Sequence, residues 1–83
     1  MSEPKYVLYH RLADPGSAAI RAKIVDAGLK PRVDFQNVET EAAAEFAARG
    51  GHEVPALWDG ERLHEGSYAV RLALGAIIAS GER

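Results

Sequence analysis

His52-Glu53-Val54-Pro55-Ala56-Leu57-Trp58-Asp59-Gly60 is the stretch whose reading decides the fold. Val54-Pro55 stands directly before a short apolar run, and Asp59-Gly60 directly after it. Proline has no N–H to give a sheet, so within one it is confined to a strand's first residue, an edge or a bulge. Asp-Gly between two strand-like runs is a two-residue hairpin signal, because both residues accept positive φ. The stretch predicts a turn, a strand over Ala56–Trp58, a tight turn, and a second strand over Arg62–Glu65.

Upstream, Lys5 to His10 (Lys-Tyr-Val-Leu-Tyr-His) is a nearly continuous apolar run, which suits a strand buried on both faces. Asp14 followed by Pro15 reads as a helix start, with aspartate as N-cap and proline at the first helical position. Ala18, Ala22, Val25 and Leu29 recur at helical spacing, flanked by Ile20 and Ile24, with Arg21, Lys23 and Asp26 on the other side. Gly28 suits the C-terminal cap, and Pro31 prevents continuation. Arg32 to Val38 alternates and predicts a half-buried strand. Strand, helix and strand make a βαβ unit with parallel strands and a right-handed crossover. Glu39 to Arg49 predicts an alanine-rich helix started near Thr40, anchored by Phe46 and ended by Gly50-Gly51. Downstream of the opening stretch, Ser67 is expected to cap a last helix running to about Ser80. The order β-α-β-α-β-β-α predicts an α/β domain over residues 1–83, a four-stranded mixed sheet with helices on both faces.

Composition excludes several chemistries. The 83 residues contain no cysteine, which removes disulfides, thiolate metal sites and dithiol redox chemistry. A formal charge of −2 without a Lys/Arg cluster gives no nucleic-acid footprint. No apolar run reaches membrane-spanning length, and Met1–Lys5 lacks the form of a signal peptide, so the expected compartment is the cytoplasm. A chain this short buries only about 60–65% of its unfolded surface, so its core is thin.

The order of elements, with Val-Pro before the third strand, resembles the thioredoxin fold, and in particular glutaredoxins and the N-terminal domain of glutathione S-transferases. Tyr9-His10-Arg11-Leu12-Ala13-Asp14-Pro15-Gly16-Ser17 lies over the glutaredoxin run Tyr-Thr-Lys-Pro-x-Cys-Pro-Tyr-Cys without a gap. Gly50-Gly51-His52-Glu53-Val54-Pro55 is similar to the glutaredoxin Gly-x-x-Thr-Val-Pro approach. Val54-Pro55-Ala56-Leu57-Trp58-Asp59-Gly60 and Leu63-His64-Glu65-Gly66-Ser67 are similar to the transferase pattern Val-Pro-x-Leu-x-Asp-Gly…Leu-x-Glu-Ser. The resemblance implies a cis Pro55, and a Val54 backbone that pairs with the cysteinyl part of glutathione like an added strand. It also implies that Ser67, with the first-turn N–H groups of the last helix, holds the γ-glutamyl carboxylate, and that Arg11 lies near the other carboxylate.

The departures are equally specific. Asp14 replaces the nucleophilic cysteine and Ser17 its partner, so thiol exchange is impossible. Asp14 would also raise, rather than lower, the pKa of a neighbouring thiol. Gly66-Ser67 stands where transferases carry Glu-Ser, and their helical second domain is absent from this chain. Against a catalytic role for Asp14 stands its simpler role as a helix cap. Ser17 lacks an evident base and reads as a solvated first-turn hydroxyl. Tyr9 compares with transferase tyrosines that bond the glutathione sulfur, against a plain role as a core or edge aromatic. His10, Asp14 and His52 would lie close together in this fold, but their spacing matches no metal motif, and three surface or edge histidines are the simpler reading. Trp58 reads as the core residue of the third strand, either fully covered or partly exposed.

From Ala69 to Ala79 the last helix carries one charge, Arg71. Val70, Leu72, Leu74, Ile77 and Ile78 spread round much of its circumference, more than one sheet face covers. Either a second copy or another protein covers Val70, Leu74, Ile77 and Ile78, or the alanines and Gly75 leave little apolar area to cover. Three functions follow as expectations. The first is a redox-inactive module binding glutathione or another peptide-like ligand at Arg11, Val54, Pro55, Gly66 and Ser67, with no cofactor required. The second is a protein-interaction or dimerisation domain. The third is a glutathione-dependent transferase or isomerase that needs a partner chain.

Overall fold

The central strand is β1, Tyr6–His10. In a computed structural model that describes residues 6–81, β1 pairs in parallel with β2 (Val33–Asn37) and antiparallel with β3 (Ala56–Trp58). β4 (Leu63–Glu65) adds to the other side of β3, giving the order β2-β1-β3-β4. The parallel pair requires a crossover, and α1 (Pro15–Asp26) supplies it. α2 (Ala43–Ala48) and α3 (Ser67–Ala79) complete a mixed α/β fold. Lys5, expected to open β1, lies outside the described residues, as does the rest of Met1–Lys5.

Alternation along β1 sends its side chains to two separate cores. Tyr6 and Leu8 face α1 and α3, packing with Ile20, Ile24, Leu57, Val70 and Leu74. Tyr9 faces the other way, with Val38, Ala42, Phe46 and Ala56 under α2. Trp58 is half-buried on this second face, packed against the same cluster.

Both ends of α1 form as the sequence predicts. The Asp14 carboxylate accepts the Ser17 N–H at 2.7 Å, and Pro15 begins the helix. At the far end Leu29 N–H reaches the Ile24 carbonyl and Gly28 N–H the Val25 carbonyl, both at 3.0 Å. This is a Schellman closure, and it uses the left-handed φ of +75° at Gly28. The buried face of α1 differs from the expected one. Ser17, Ile20 and Ile24 are buried, whereas Ala18, Ala22 and Val25 face solvent. Two isoleucines remove more apolar area from water than two alanines and a valine, so the helix turns them inward.

Four other boundaries depart from expectation for local reasons. A 3-10 turn at Lys30–Arg32 precedes β2, so the strand begins at Val33 instead of Arg32. α2 is shorter than Glu39–Arg49, because the Asn37 carbonyl takes the N–H groups of Thr40 and Ala42 and the Asn37 side chain takes that of Glu39. The hairpin is not a two-residue Asp59-Gly60 turn. Asp59 N–H bonds the Arg62 carbonyl at 3.1 Å, and Asp59 Oδ1 accepts the N–H groups of Glu61 and Arg62, both at 2.8 Å. Asp59 thus acts through its side chain as an Asx-turn acceptor while only Gly60 takes positive φ. Finally, Gly66 is the N-cap of α3, and Ser67 is its first helical residue without a side-chain capping bond.

The apolar stripe of α3 lies against its own sheet. Val70, Leu74 and Ile77 are buried, and Ile78 packs beside them, so these residues do not form the expected partner surface. The outward apolar side chains are Tyr68 and Leu72, 76% and 59% exposed. Among the described residues no helix is long and apolar enough to cross a membrane.

Two stability predictions follow from these contacts. A Cβ on Gly51 would fall 2.3–2.5 Å from the Phe46 ring atoms. Gly51→Ala is therefore expected to lower urea-unfolding stability by about 1–3 kcal/mol, as overpacking does, and by far less in a Phe46→Leu background. The second concerns Asp59. Partial burial opposes its ionisation, but the bonds from His64 Nε2 and from the Arg62 and Glu61 N–H groups prevail and hold its carboxyl at about 2. That stabilisation is complete above the ordinary value of 3.8 and is lost as pH falls through about 2. Acid titration of Asp59→Asn, followed by circular dichroism, should show a shallower loss of stability across that window.

Candidate functional site

Three chain segments meet at the end of the sheet where β1 runs into α1. The meeting point is marked by Gly16, whose added Cβ would lie 3.0 Å from Ser67 Oγ, 3.3 Å from Asp14 Oδ2 and 3.4 Å from Pro55 Cδ. A glycine in the first turn of a helix, where it carries no propensity advantage, is the sequence signal of this close approach. It was not among the expected site residues.

Each segment is held from behind. Asp14 is fixed by its capping bond to Ser17. The Val54–Pro55 peptide is cis, and the Pro55 carbonyl accepts the Gly66 N–H at 2.9 Å. Gly66 takes a φ of +89°, a conformation that favours glycine. The Glu65 carboxylate accepts the N–H groups of His52 at 2.6 Å and Glu53 at 2.9 Å. These bonds, that from His52 foremost, hold the Glu65 carboxyl below the usual range against the opposing effect of partial burial. Sequence reasoning missed Glu65, because its partners are main-chain groups with no signature of their own.

The remaining expected residues are distributed as follows. Val54 is half-buried, and its N–H and carbonyl have no hydrogen-bond partner among the described residues. The exposed Arg11 side chain turns toward the Glu39 carboxylate, at 3.8 Å. Ser17 is fully buried rather than solvated, and its Oγ accepts the Arg11 N–H at 3.2 Å. Tyr9 lies on the opposite face of the sheet. Its hydroxyl donates to Glu45 and accepts from Arg49 at 2.7 Å. Burial first, and then the bond to Glu45, push the Tyr9 pKa well above its ordinary value, so the phenol stays protonated.

The histidines separate. His10 is buried beside Arg21, His52 is exposed, and His64 donates to Asp59 at the other end of the sheet, in a cleft with Tyr6, Ala73 and Ile77. Among the described residues no three His, Asp or Glu side chains are grouped to hold a metal ion.

This geometry offers main-chain hydrogen bonds at Val54 and uncapped first-turn N–H donors at α3, a combination suited to an extended ligand with an acyl or carboxylate oxygen. Compared with models of protein families, with curated proteins and with solved structures, the chain finds no match.

Glu65→Ala should free the loop before Pro55. Hydrogen exchange at the His52 and Glu53 amides is expected to accelerate, with a stability loss of about 1 kcal/mol. Glu65→Gln, which keeps one acceptor oxygen, should restore most of the protection.

Proposed function

We propose that this chain is a redox-inactive binding module of the thioredoxin-like type, built on the plan of glutaredoxins and transferase N-terminal domains, and that it takes a glutathione-like or other peptide-like ligand at Val54–Pro55. The observation that carries the reading is the meeting of Asp14, Pro55 and Ser67 around Gly16, beside the uncapped start of α3. The sheet order β2-β1-β3-β4 supports it. Ligand backbone would pair with Val54, and a ligand oxygen would lie at the N–H groups of Ser67 and Tyr68.

Catalysis is not part of the proposal. Tyr9 is locked on the far face, Ser17 is buried against Arg11, and the carboxylate of Asp14 disfavours a nearby thiolate. A second reading rests on the exposure of Tyr68 and Leu72, one turn apart on α3, and makes them the contact for a second copy or another protein.

Chemical-shift mapping with reduced glutathione and with a short uncharged peptide tests the first reading. Amides of Val54, Ser67 and Tyr68 should move with ligand in the millimolar range, and Gly16→Ala should abolish the response by filling the space between Asp14, Pro55 and Ser67. Silence at these amides with both ligands would remove the binding reading. Shifts at Tyr68 and Leu72 that follow protein concentration instead of ligand would favour the second.

A further inference from the structure

His10 is a buried titratable group that the proposed site leaves unused. It ends β1 and is only 5% exposed. Its Nδ1 lies 2.9 Å from Nη1 of Arg21 on α1. A guanidinium has donors and no acceptor, so Arg21 donates and Nδ1 is bare, which leaves the ring proton on Nε2. The same guanidinium donates to the Arg11 carbonyl at 3.2 Å and the Leu12 carbonyl at 3.4 Å. One cation therefore ties the ring to the first two residues of the loop that leads to Asp14. Among the described residues, the loop is otherwise held by Arg11 N–H to Ser17 Oγ, Arg11 Nε to the Glu39 carboxylate at 3.8 Å, Asp14 N–H to the Arg11 carbonyl at 3.3 Å and the Asp14 cap on Ser17 N–H. Leu12 and Ala13 thus have no other side-chain or main-chain bond among the described residues.

The surroundings of His10 favour the neutral ring. From α1 it faces Arg21, a permanent cation. From β2 the Phe35 ring packs edge-on at 5.7 Å, and Lys30 stands over that ring at 4.5 Å. From the turn before α2 comes Glu41, an exposed carboxylate that accepts the Asn37 N–H. Burial foremost, and then the charge of Arg21, hold the His10 pKa below 6.5 against the weaker attraction of Glu41.

We propose that His10 and Arg21 form a proton-operated latch on the loop between β1 and α1, closed while Nδ1 accepts from Arg21 and opened when Nδ1 takes a proton from water. Protonation turns the acceptor into a donor and sets two cations against each other in a part-buried position, which drives the guanidinium out toward solvent. The Arg11 and Leu12 carbonyls then lose their side-chain donor, and the loop loosens at Leu12 and Ala13 while the Asp14 cap stays in place. The latch holds whatever the site binds, and equally if the site binds nothing.

Ring and backbone nitrogen NMR of the ligand-free chain, titrated across the histidine range, tests it. The neutral His10 ring should be the Nε2–H tautomer and should titrate below 6.5. The amides of Leu12 and Ala13 should shift at the same midpoint, while those of Leu8 and Leu57 remain still. His10→Asn supplies an acceptor that cannot titrate and should leave the loop closed and indifferent to pH. Arg21→Gln keeps a donor without the charge and should raise the His10 midpoint toward 6.5, a readout that survives if His10→Asn fails to fold. A neutral Nδ1–H tautomer, loop amides that ignore the His10 midpoint, or an unchanged midpoint in Arg21→Gln would each overturn the latch.

Discussion

The structure depends on one burial requirement, that of β1. Five residues in the middle of the sheet send Tyr6 and Leu8 to one face and Tyr9 to the other, and none of the three tolerates water on its ring or branched carbons. Covering the first face takes both long helices, whose branched side chains at Ile20, Ile24, Val70 and Leu74 meet over Leu8 and Leu57. Covering the second is left to α2 and the turns before it. The end of the molecule that carries the candidate site follows from that arrangement. A strand that must turn at once into α1 brings the Asp14 cap to the place where β3 begins and α3 starts, and Gly16 lets the three approach.

How far the sequence revealed this depends on whether the deciding interaction is local. The Asp14 cap, the Gly28 closure and the strand that follows Val54-Pro55 each rest on residues a few positions apart, and each formed where expected. The rotation of α1, the turned-in stripe of α3 and the burial of Ser17 are decided by partners far along the chain, and periodicity alone did not reveal them. The hairpin and α2 fail for an intermediate reason. Asp59 and Asn37 use their side chains to capture nearby N–H groups, and that capture moves a turn or delays a helix. At the candidate site, Asp14, Pro55 and Ser67 were legible as individuals, whereas Gly16 acts by leaving room for those three side chains and Glu65 by holding main-chain N–H groups, and neither was legible. Arg11 was assigned by position, but its guanidinium is drawn to the carboxylate of Glu39.

The second face is held by a mixed polar and aromatic contact. Arg49 stacks over the Trp58 ring at 4.2 Å while donating to the Tyr9 hydroxyl, and Glu45 accepts from the same hydroxyl. The Phe46 ring packs against Tyr9 with centroids 5.1 Å apart. Exposed ion pairs one helical turn apart contribute little alone. Here the Glu45–Arg49 pair is anchored to a buried phenol and an indole, which gives it a fixed geometry.

A six-residue helix cannot nucleate its own hydrogen bonds and is stable only while docked. The two faces of the sheet are therefore unequal in cooperativity. Loss of the Tyr9, Phe46 and Arg49 contacts would release α2 as a sub-global unit, while the side packed by α1 and α3 stayed folded. The molecule has a rigid half and a separable half, divided by the plane of its own sheet.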